Sequence, residues 1–259
     1  MPIDYSEVAR NSRIKALEMT NSARAAHVGS SLSVIDIAVS LFSYSLRKPN
    51  SGDVVLVSKG HAAAGIYAVL NQFEVIPDEW IEKYCQNGSP LGGHVTATNV
   101  PLLELSTGSL GHGLPFAVGR ALAKKRKGEL GQIFVILSDG ECDEGSNWEA
   151  ALLASHLNLN NLSVFIDRNR LQSLGDTETT VALEPLKEKW SAFNWEVNEI
   201  SGHDFDQLNQ ATLHVSDKPK LFVCNTTKGK GVDFMENSVK WHYRPPNDEE
   251  LSAAKALLK

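Results

Sequence analysis

The sequence predicts an α/β domain built on a mainly parallel sheet. Two observations carry this reading. Short, continuous apolar runs rich in Val, Ile, Leu and Phe recur along the chain, as expected of strands buried on both faces. Between them lie stretches of helical composition and period, so strand and helix alternate.

Taken in order, residues 6–26 are predicted helical, with Val8, Ile14, Leu17 and Ala25 as scattered apolar positions among good helix formers. Ser33 is a candidate cap for a helix over 34–46, a strand is expected over 53–58, and a helix over 60–72. Residues 87–113 are rich in Gly, Pro, Thr and Ser and lack periodicity. They form a long loop region, and long ordered loops in compact domains are usually functional. A helix over 114–127 ends in Lys124-Lys125-Arg126-Lys127, a solvated C-terminus matched to the helix dipole. A strand over 132–137 precedes a helix in which Ser146 and Glu149 have capping-box spacing and Ala150, Leu153, Ala154 and Leu157 form the apolar stripe. Further strands are expected over 162–167, 195–200 and 220–225. No repeat or linker divides the 259 residues, so one domain over 1–259 is expected, long enough to bury a real core.

Bulk properties narrow the function classes. The net charge is −6 and there is no basic tail or lysine stripe, which argues against a nucleic-acid partner held through phosphates. The start, Met1-Pro2-Ile3-Asp4, lacks the pattern of a signal peptide, and no apolar run is expected to reach the roughly 18 residues that cross a bilayer. Cys85, Cys142 and Cys224 are odd in number and lack metal-ligand spacing, so reduced thiols in a cytoplasmic protein are expected.

One stretch stands apart. Asp139, Glu141, Asp143, Glu144 and Glu149 follow the apolar run Ile133-Phe134-Val135-Ile136-Leu137 almost directly. In open α/β sheets ligands sit at the carboxyl ends of strands, where the next helix also presents its positive N-terminus. Asp139 is therefore placed to hold a hard cation such as Mg²⁺, which takes oxygen ligands and often shares them with a substrate's phosphates. Asn169, just past the strand over 162–167, adds an amide oxygen without charge, and the Leu171 carbonyl offers a third oxygen. Gly140 lets a phosphate approach the backbone. Taken singly, Asp-Gly after a strand is commonly a turn and Arg-Asn-Arg an ordinary loop; joined across one strand–helix–strand unit they point to a metal-bound diphosphate. Glu149 is expected to cap its helix, and Glu141 and Asp143 are expected to be solvent-exposed.

These residues carry a resemblance. Asp139-Gly140 with Asn169 thirty positions on resembles the Gly-Asp-Gly…Asn signature of thiamine-diphosphate enzymes, with Ser138 in place of the first glycine. Ala26-His27-Val28-Gly29 resembles the Gly-His-Pro-Gly loop of transketolases, and Ser58-Lys59-Gly60-His61-Ala62 their Ser-x-Gly-His-Ala. Gly93-His94 resembles the next histidine site, and Thr107-Gly108-Ser109-Leu110-Gly111-His112-Gly113 resembles Thr-Gly-Pro-Leu-Gly-Gln-Gly. Lys228-Gly229-Lys230-Gly231-Val232 and Trp241-His242 resemble the last loop and its histidine in split transketolases. The chain thus resembles the N-terminal, diphosphate-binding half of transketolase from about Arg10 to Arg244.

The resemblance implies the thiamine-diphosphate-binding fold, with helices on both sheet faces, and transfer of a two-carbon ketol unit from a ketose to an aldehyde. It implies thiamine diphosphate with Mg²⁺ (or Ca²⁺ or Mn²⁺) as cofactors. Asp139, Asn169 and the Leu171 carbonyl would hold the metal, and His61, Gly140 and His242 the diphosphate, while Gly108 and Leu110 would line the cleft. His27, His94 and His242 would face the sugar or sugar phosphate and its proton transfers, and Glu144 would sit at the subunit interface. His112, standing where the family has glutamine, is open between ligand contact and loop filling; His156, His203 and His214 are expected to be surface or hydrogen-bonded core residues. A pyrimidine-binding domain is expected on a separate C-terminal transketolase subunit, in an α₂β₂ assembly. Three alternatives stay open: a specialised ketol transferase acting on an unusual sugar or a carrier-bound acceptor, the α subunit of a 2-oxo-acid dehydrogenase, and a non-catalytic relative.

Overall fold

Five strands build the sheet: β1 (Val54–Val57), β2 (Ile133–Ser138), β3 (Leu162–Arg168), β4 (Glu196–Ser201) and β5 (Lys220–Asn225). A computed structural model describes residues 3–98 and 100–259. All four pairings are parallel, in the order β1-β2-β3-β5-β4. Every residue of β1, β2 and β3 is buried, which is why these strands read as unbroken apolar runs. The edge strand β4 is only half-buried and keeps Glu196, Asn198 and Glu199.

Side chains alternate across the sheet with the strand period of two. Val55, Val57, Phe134, Ile136, Phe165 and Phe222 face one side. There they pack against α1 (Tyr5–Ser22), α2 (Val28–Leu46) and α3 (Ala63–Gln72). Val54, Leu56, Ile133, Val135, Leu137, Val164 and Ile166 face the other side. The short α4 (Asp78–Glu82) follows α3; α5 (Gly113–Lys127) and α6 (Gly145–His156) cover this second face. Phe165 lies between the Phe134 and Phe222 rings, at centroid distances of 6.3 and 4.8 Å. Truncating such a central aromatic costs about 3–5 kcal/mol. Helices on both faces of a parallel sheet are thus as expected.

The remaining helices are α7 (Thr177–Thr180), α8 (Leu186–Ala192), α9 (Phe205–Leu213) and α10 (Asp248–Leu257). The sequence reading places no helix at α4 or at any of these four, although three carry visible start signals, the first being Asp176, which accepts from the Glu178 amide to cap α7. Asp204 accepts from the amides of Asp206 and Gln207 to cap α9, and Asn247 with Glu250 forms a full capping box on α10.

Other expectations are corrected. Ser33 caps nothing: α2 begins at Val28, five residues earlier, and Ser33 is buried in mid-helix with its hydroxyl donated to Asp167. Ser146 and Glu149 form no capping box, because α6 begins at Gly145 with Glu144 as its cap residue and Ser146 donates instead to the Gly111 carbonyl. Leu153 is 47% exposed, so the buried stripe of α6 is Asn147, Ala150, Ala151 and Ala154. Lys124 is buried and donates to the Leu130 carbonyl. An apolar segment of spanning length does exist: α2 has 19 residues and a hydropathy of 1.3, with 89% of its apolar window buried inside the fold. The loop over 87–113 is largely irregular as expected, with Asn99 outside the described residues.

Candidate active site

Parallel strands all end on the same edge of the sheet. β1 runs into Ser58–His61, β2 into Asp139-Gly140, β3 into Asn169–Leu171 and β5 into Thr226–Lys228. Their tips enclose a cavity of about 230 Å³. His27, His61, His94, Gly108, Leu110, Asp139, Gly140, Asn169, Leu171 and His242 all line it. Of the sequence-predicted site residues only Glu144 does not: it is exposed at the start of α6, behind Gly111. His112 also stays outside this lining, its Nδ1 near the Ser109 and Leu110 carbonyls at 3.2 and 3.1 Å.

At the floor, Asp139 is 1% exposed. Its Oδ1 accepts from the Gly140 amide at 2.8 Å and its Oδ2 from the Arg170 amide at 2.6 Å, with Arg168 Nη1 at 3.4 Å. Burial, then the neighbouring Asp167, raises the Asp139 pKa despite Arg168 and the two amides. Asn169 is 5% exposed, and its Oδ1 accepts from the Leu171 amide at 3.1 Å. A Cβ on Gly140 would stand 2.8 Å from the Gln172 side chain, so backbone lines the cavity there.

Two buried lysines stand at this end of the sheet, and one of them, Lys59, lines the cavity. Lys59 donates to the Ser30 carbonyl at 3.1 Å and pairs with the fully buried Asp167, which also accepts from Ser33 and Thr226. Lys228 donates to the Leu171 carbonyl at 3.1 Å and to His242 Nδ1 at 2.9 Å. Burial, then the Lys59 charge, lowers Lys228 to about 8.

Four imidazoles form the wall. His27 lies at ring-centroid distances of 5.4 Å from His61, 5.4 Å from His94 and 5.1 Å from His242. Burial, then His94, Lys228 and Lys59, lowers His27 to about 4; burial, then Lys228, His27 and Lys59, lowers His242 to about 3. His61 is pushed well below its usual value by burial and then by Lys59. These shifts favour the neutral form of all three at neutral pH. His27 is held with φ 73°, its amide donating to the His242 carbonyl at 2.7 Å.

Glu141 departs most from expectation. It is fully buried rather than exposed, accepting from the Ser58 hydroxyl, the Gly111 amide at 2.9 Å and the Ser138 amide at 3.3 Å. Gly111 has φ 79°, and a Cβ there would stand 2.5 Å from Ser146 Oγ, so only glycine fits. Asp143 is exposed as expected and accepts from Gln172 Nε2 at 2.7 Å.

The donor set fits a diphosphate bound with one divalent cation. One carboxylate, one amide and one carbonyl are too few to hold a cation by themselves, and the described residues contain no cluster of three His, Cys, Asp or Glu for a metal. Water and the oxygens of a bound anion can supply the remaining ligands, and the buried Lys59 on the cavity lining suits an anion's charge. Ser30 Oγ lines the cavity, is buried and lacks any partner, at the first turn of α2, where a helix favours an anion.

The family model for "transketolase, thiamine diphosphate binding domain" matches residues 5–258. The chain belongs to the transketolase family. It is 39% identical to one of the subunits that make up the apulose-4-phosphate transketolase of Actinobacillus succinogenes, over 92% of this chain and 90% of that one. It is 35% identical to 6-deoxy-6-sulfo-D-fructose transketolase subunit SqwG of a Clostridium species, over 99% of this chain and 96% of that one. Among solved structures, transketolase from Campylobacter jejuni superposes with a TM-score of 0.89 at 30% identity. This chain is covered completely there but spans only 43% of that protein.

Within this transketolase domain, sequence reasoning missed Lys59, Lys228, Ser30 and Glu141. Lys59 and Lys228 stood inside the matched motifs; a lysine next to Gly-His at a strand end is the signal that finds Lys59, and the Lys-Gly-Lys-Gly loop after a strand is the one that finds Lys228. Nothing local marks Glu141 as buried, because its partners come from β1 and from the loop before α5. His203 and His214 have the hydrogen-bonded roles expected of them: His203 Nδ1 donates to Asp36 at 2.6 Å while its Nε2 accepts from the Thr227 amide, and His214 pairs with Glu196.

Proposed function

We propose that this chain is the diphosphate-holding subunit of a two-component transketolase that moves a two-carbon ketol unit from a ketose to an aldehyde. The observation that carries the reading is the convergence of Asp139 and Asn169, from adjacent strand ends, with four histidines on one cavity. In this reading Asp139, Asn169 and the Leu171 carbonyl hold Mg²⁺, while His61, Gly140 and His242, with Lys59, Lys228 and Ser30, hold the diphosphate. Thiamine diphosphate, when bound, supplies the carbon–carbon chemistry that side chains lack. Gly108 and Leu110 shape the cleft beside it. His27, His94 and His242 accept and return protons on sugar hydroxyls, a task suited to neutral imidazoles.

The substrate is a specialised sugar rather than a common pentose phosphate. Two similar proteins are named for apulose 4-phosphate and for 6-deoxy-6-sulfo-D-fructose, and the motif loops depart from the family pattern at Val28, Ser109 and His112. A pyrimidine-binding partner subunit in an α₂β₂ assembly, with Glu144 at the contact, completes the proposal; both relatives carry subunit names over nearly this whole length. The unpaired Cys85, Cys142 and Cys224 support a reducing, cytoplasmic setting.

The test is reconstitution. The chain is mixed with its candidate partner, thiamine diphosphate and Mg²⁺, and ketol transfer is followed with a panel of ketose donors. Transfer by the pair and none by the chain alone is the expected result. Full turnover by this chain alone removes the partner; pyruvate decarboxylation by the pair replaces the reaction.

A further inference from the structure

The cavity changes character from floor to mouth. Asp139 and Asn169 at the floor are 1% and 5% exposed, and His242 on the wall is 8% exposed. Tyr243, the next residue, is 62% exposed and still lines the cavity. It is the one carbocyclic aromatic ring among the lining residues. Its ring meets His242 edge-on at 4.8 Å and His27 at a tilt at 5.9 Å, so much of its surface is left open.

The backbone beneath this ring is pinned on both sides. Trp241 is 2% exposed and donates through Nε1 to the Phe234 carbonyl at 3.1 Å. The Arg244 guanidinium lies 5.0 Å from the Trp241 ring and pairs with Glu250 at 2.7 Å. A single exposed ring is ordinary by itself; what sets Tyr243 apart is its place on the cavity lining beside His27 and His242. Only two side-chain torsions remain to be ordered, so contact with a ligand costs little entropy.

Resting on the reading above, we infer that Tyr243 is a specificity-determining residue that packs against the acceptor sugar and favours short acceptors. The charged floor takes the diphosphate, so the substrate enters from the mouth. A sugar carries C–H bonds with slight positive charge, and the negative face of an aromatic ring attracts them. The ring stands beside His27 and His242 at the mouth, so on this inference it takes up room that a long chain extending away from them would need. A three-carbon aldehyde ends against it, whereas a five-carbon one has to pass it.

The experiment uses the chain assembled with its partner subunit, with glyceraldehyde and ribose as acceptors. Tyr243→Gly is expected to lower the ratio of kcat/KM for glyceraldehyde over ribose by about tenfold, the scale of a lost or gained pocket contact. The change should fall mainly in KM, with thiamine diphosphate affinity unaltered. Tyr243→Phe, which keeps the ring, is expected to restore the ratio. Wild-type transfer with an unchanged ratio in Tyr243→Gly overturns this inference alone. Loss of assembly by Tyr243→Gly on size-exclusion chromatography assigns the ring to the subunit contact and also overturns it. Absence of ketol transfer by the wild-type pair overturns the proposed function and this inference with it.

Discussion

Ser58 donates its hydroxyl to the Glu141 carboxylate, joining residues 83 positions apart at the ends of β1 and β2. The same carboxylate oxygen holds the Gly111 amide, so one buried acid fastens three segments that border the cavity. Glu141→Ala leaves those donors in a dry interior without an acceptor, at about 1–3 kcal/mol each. For a chain of this size the thermal midpoint should fall by roughly 2–4 °C per kcal/mol. Glu141→Gln, which keeps one acceptor oxygen, should fall less. Scanning calorimetry checks both, and an unchanged midpoint for Glu141→Ala removes the fastening role.

Asp139 is the one carboxylate of the proposed cation-binding set at the floor. Its neighbour Arg168 also pairs with Glu178 and Glu184, at 2.9 and 2.8 Å, so Asp139→Ala leaves that cation satisfied. The variant should therefore fold yet lose Mg²⁺-dependent uptake of thiamine diphosphate by at least ~100-fold, the upper range for losing an outer-shell partner of a metal. Titration calorimetry on the assembled complex reads this directly. Wild-type uptake by the variant places the metal elsewhere.

The imidazole wall makes a prediction about pH. His27 and His242 sit near about 4 and about 3 in the fold, against about 6.5 unfolded. As pH falls the unfolded chain takes up these protons first. The stability they contribute is complete above about pH 6.5 and is lost as pH drops towards their folded values. Asp139 and Glu141 are raised and act with the opposite sign, so the informative quantity is the difference between variants. His27→Asn should flatten the loss of thermal midpoint between pH 7 and 4. Lys228→Met, which removes the second-largest influence on His242, should raise that imidazole's titration midpoint by NMR. An unmoved midpoint there denies the Lys228–His242 coupling.

Away from the cavity, Asp36 joins Arg13 to His203, and His203 accepts the Thr227 amide next to Lys228. Burial pulls the Asp36 pKa up, but the Arg13 charge and the hydrogen bonds from His203 and Arg13 outweigh it, leaving it lowered. Stability from this group is present above the unfolded value of about 3.9 and is lost as pH falls through the lower folded value. Asp36→Asn should cost about 3–5 kcal/mol at neutral pH, as removal of one partner from a buried pair does. Its acid limb below about pH 4 should be shallower than that of wild type. Denaturant titrations at pH 7 and pH 3 measure both effects; parallel limbs would assign the acid response to other groups.

The sheet was legible in the sequence because its strands are buried on both sides and so read as unbroken apolar runs. The floor of the cavity was legible for a related reason: Asp139 and Asn169 directly follow such runs. What local sequence hides is whatever depends on a distant partner. Glu141 looks like one more exposed acid until Ser58 and Gly111 arrive from other elements. Ser33 looks like a helix cap until Asp167 claims its hydroxyl. Leu153 fits an apolar stripe, yet α6 turns small residues to the sheet and leaves that leucine outside.

The left-handed backbone at His27 has a consequence for how this protein can change over time. Such a geometry costs a non-glycine residue about 1–2 kcal/mol, and the His242 carbonyl holds it in place. Selection for heat tolerance alone would favour glycine there, releasing the strain and discarding the imidazole together. Keeping the histidine therefore means that this domain carries the strain alongside the imidazole, a standing thermodynamic handicap met by its other contacts.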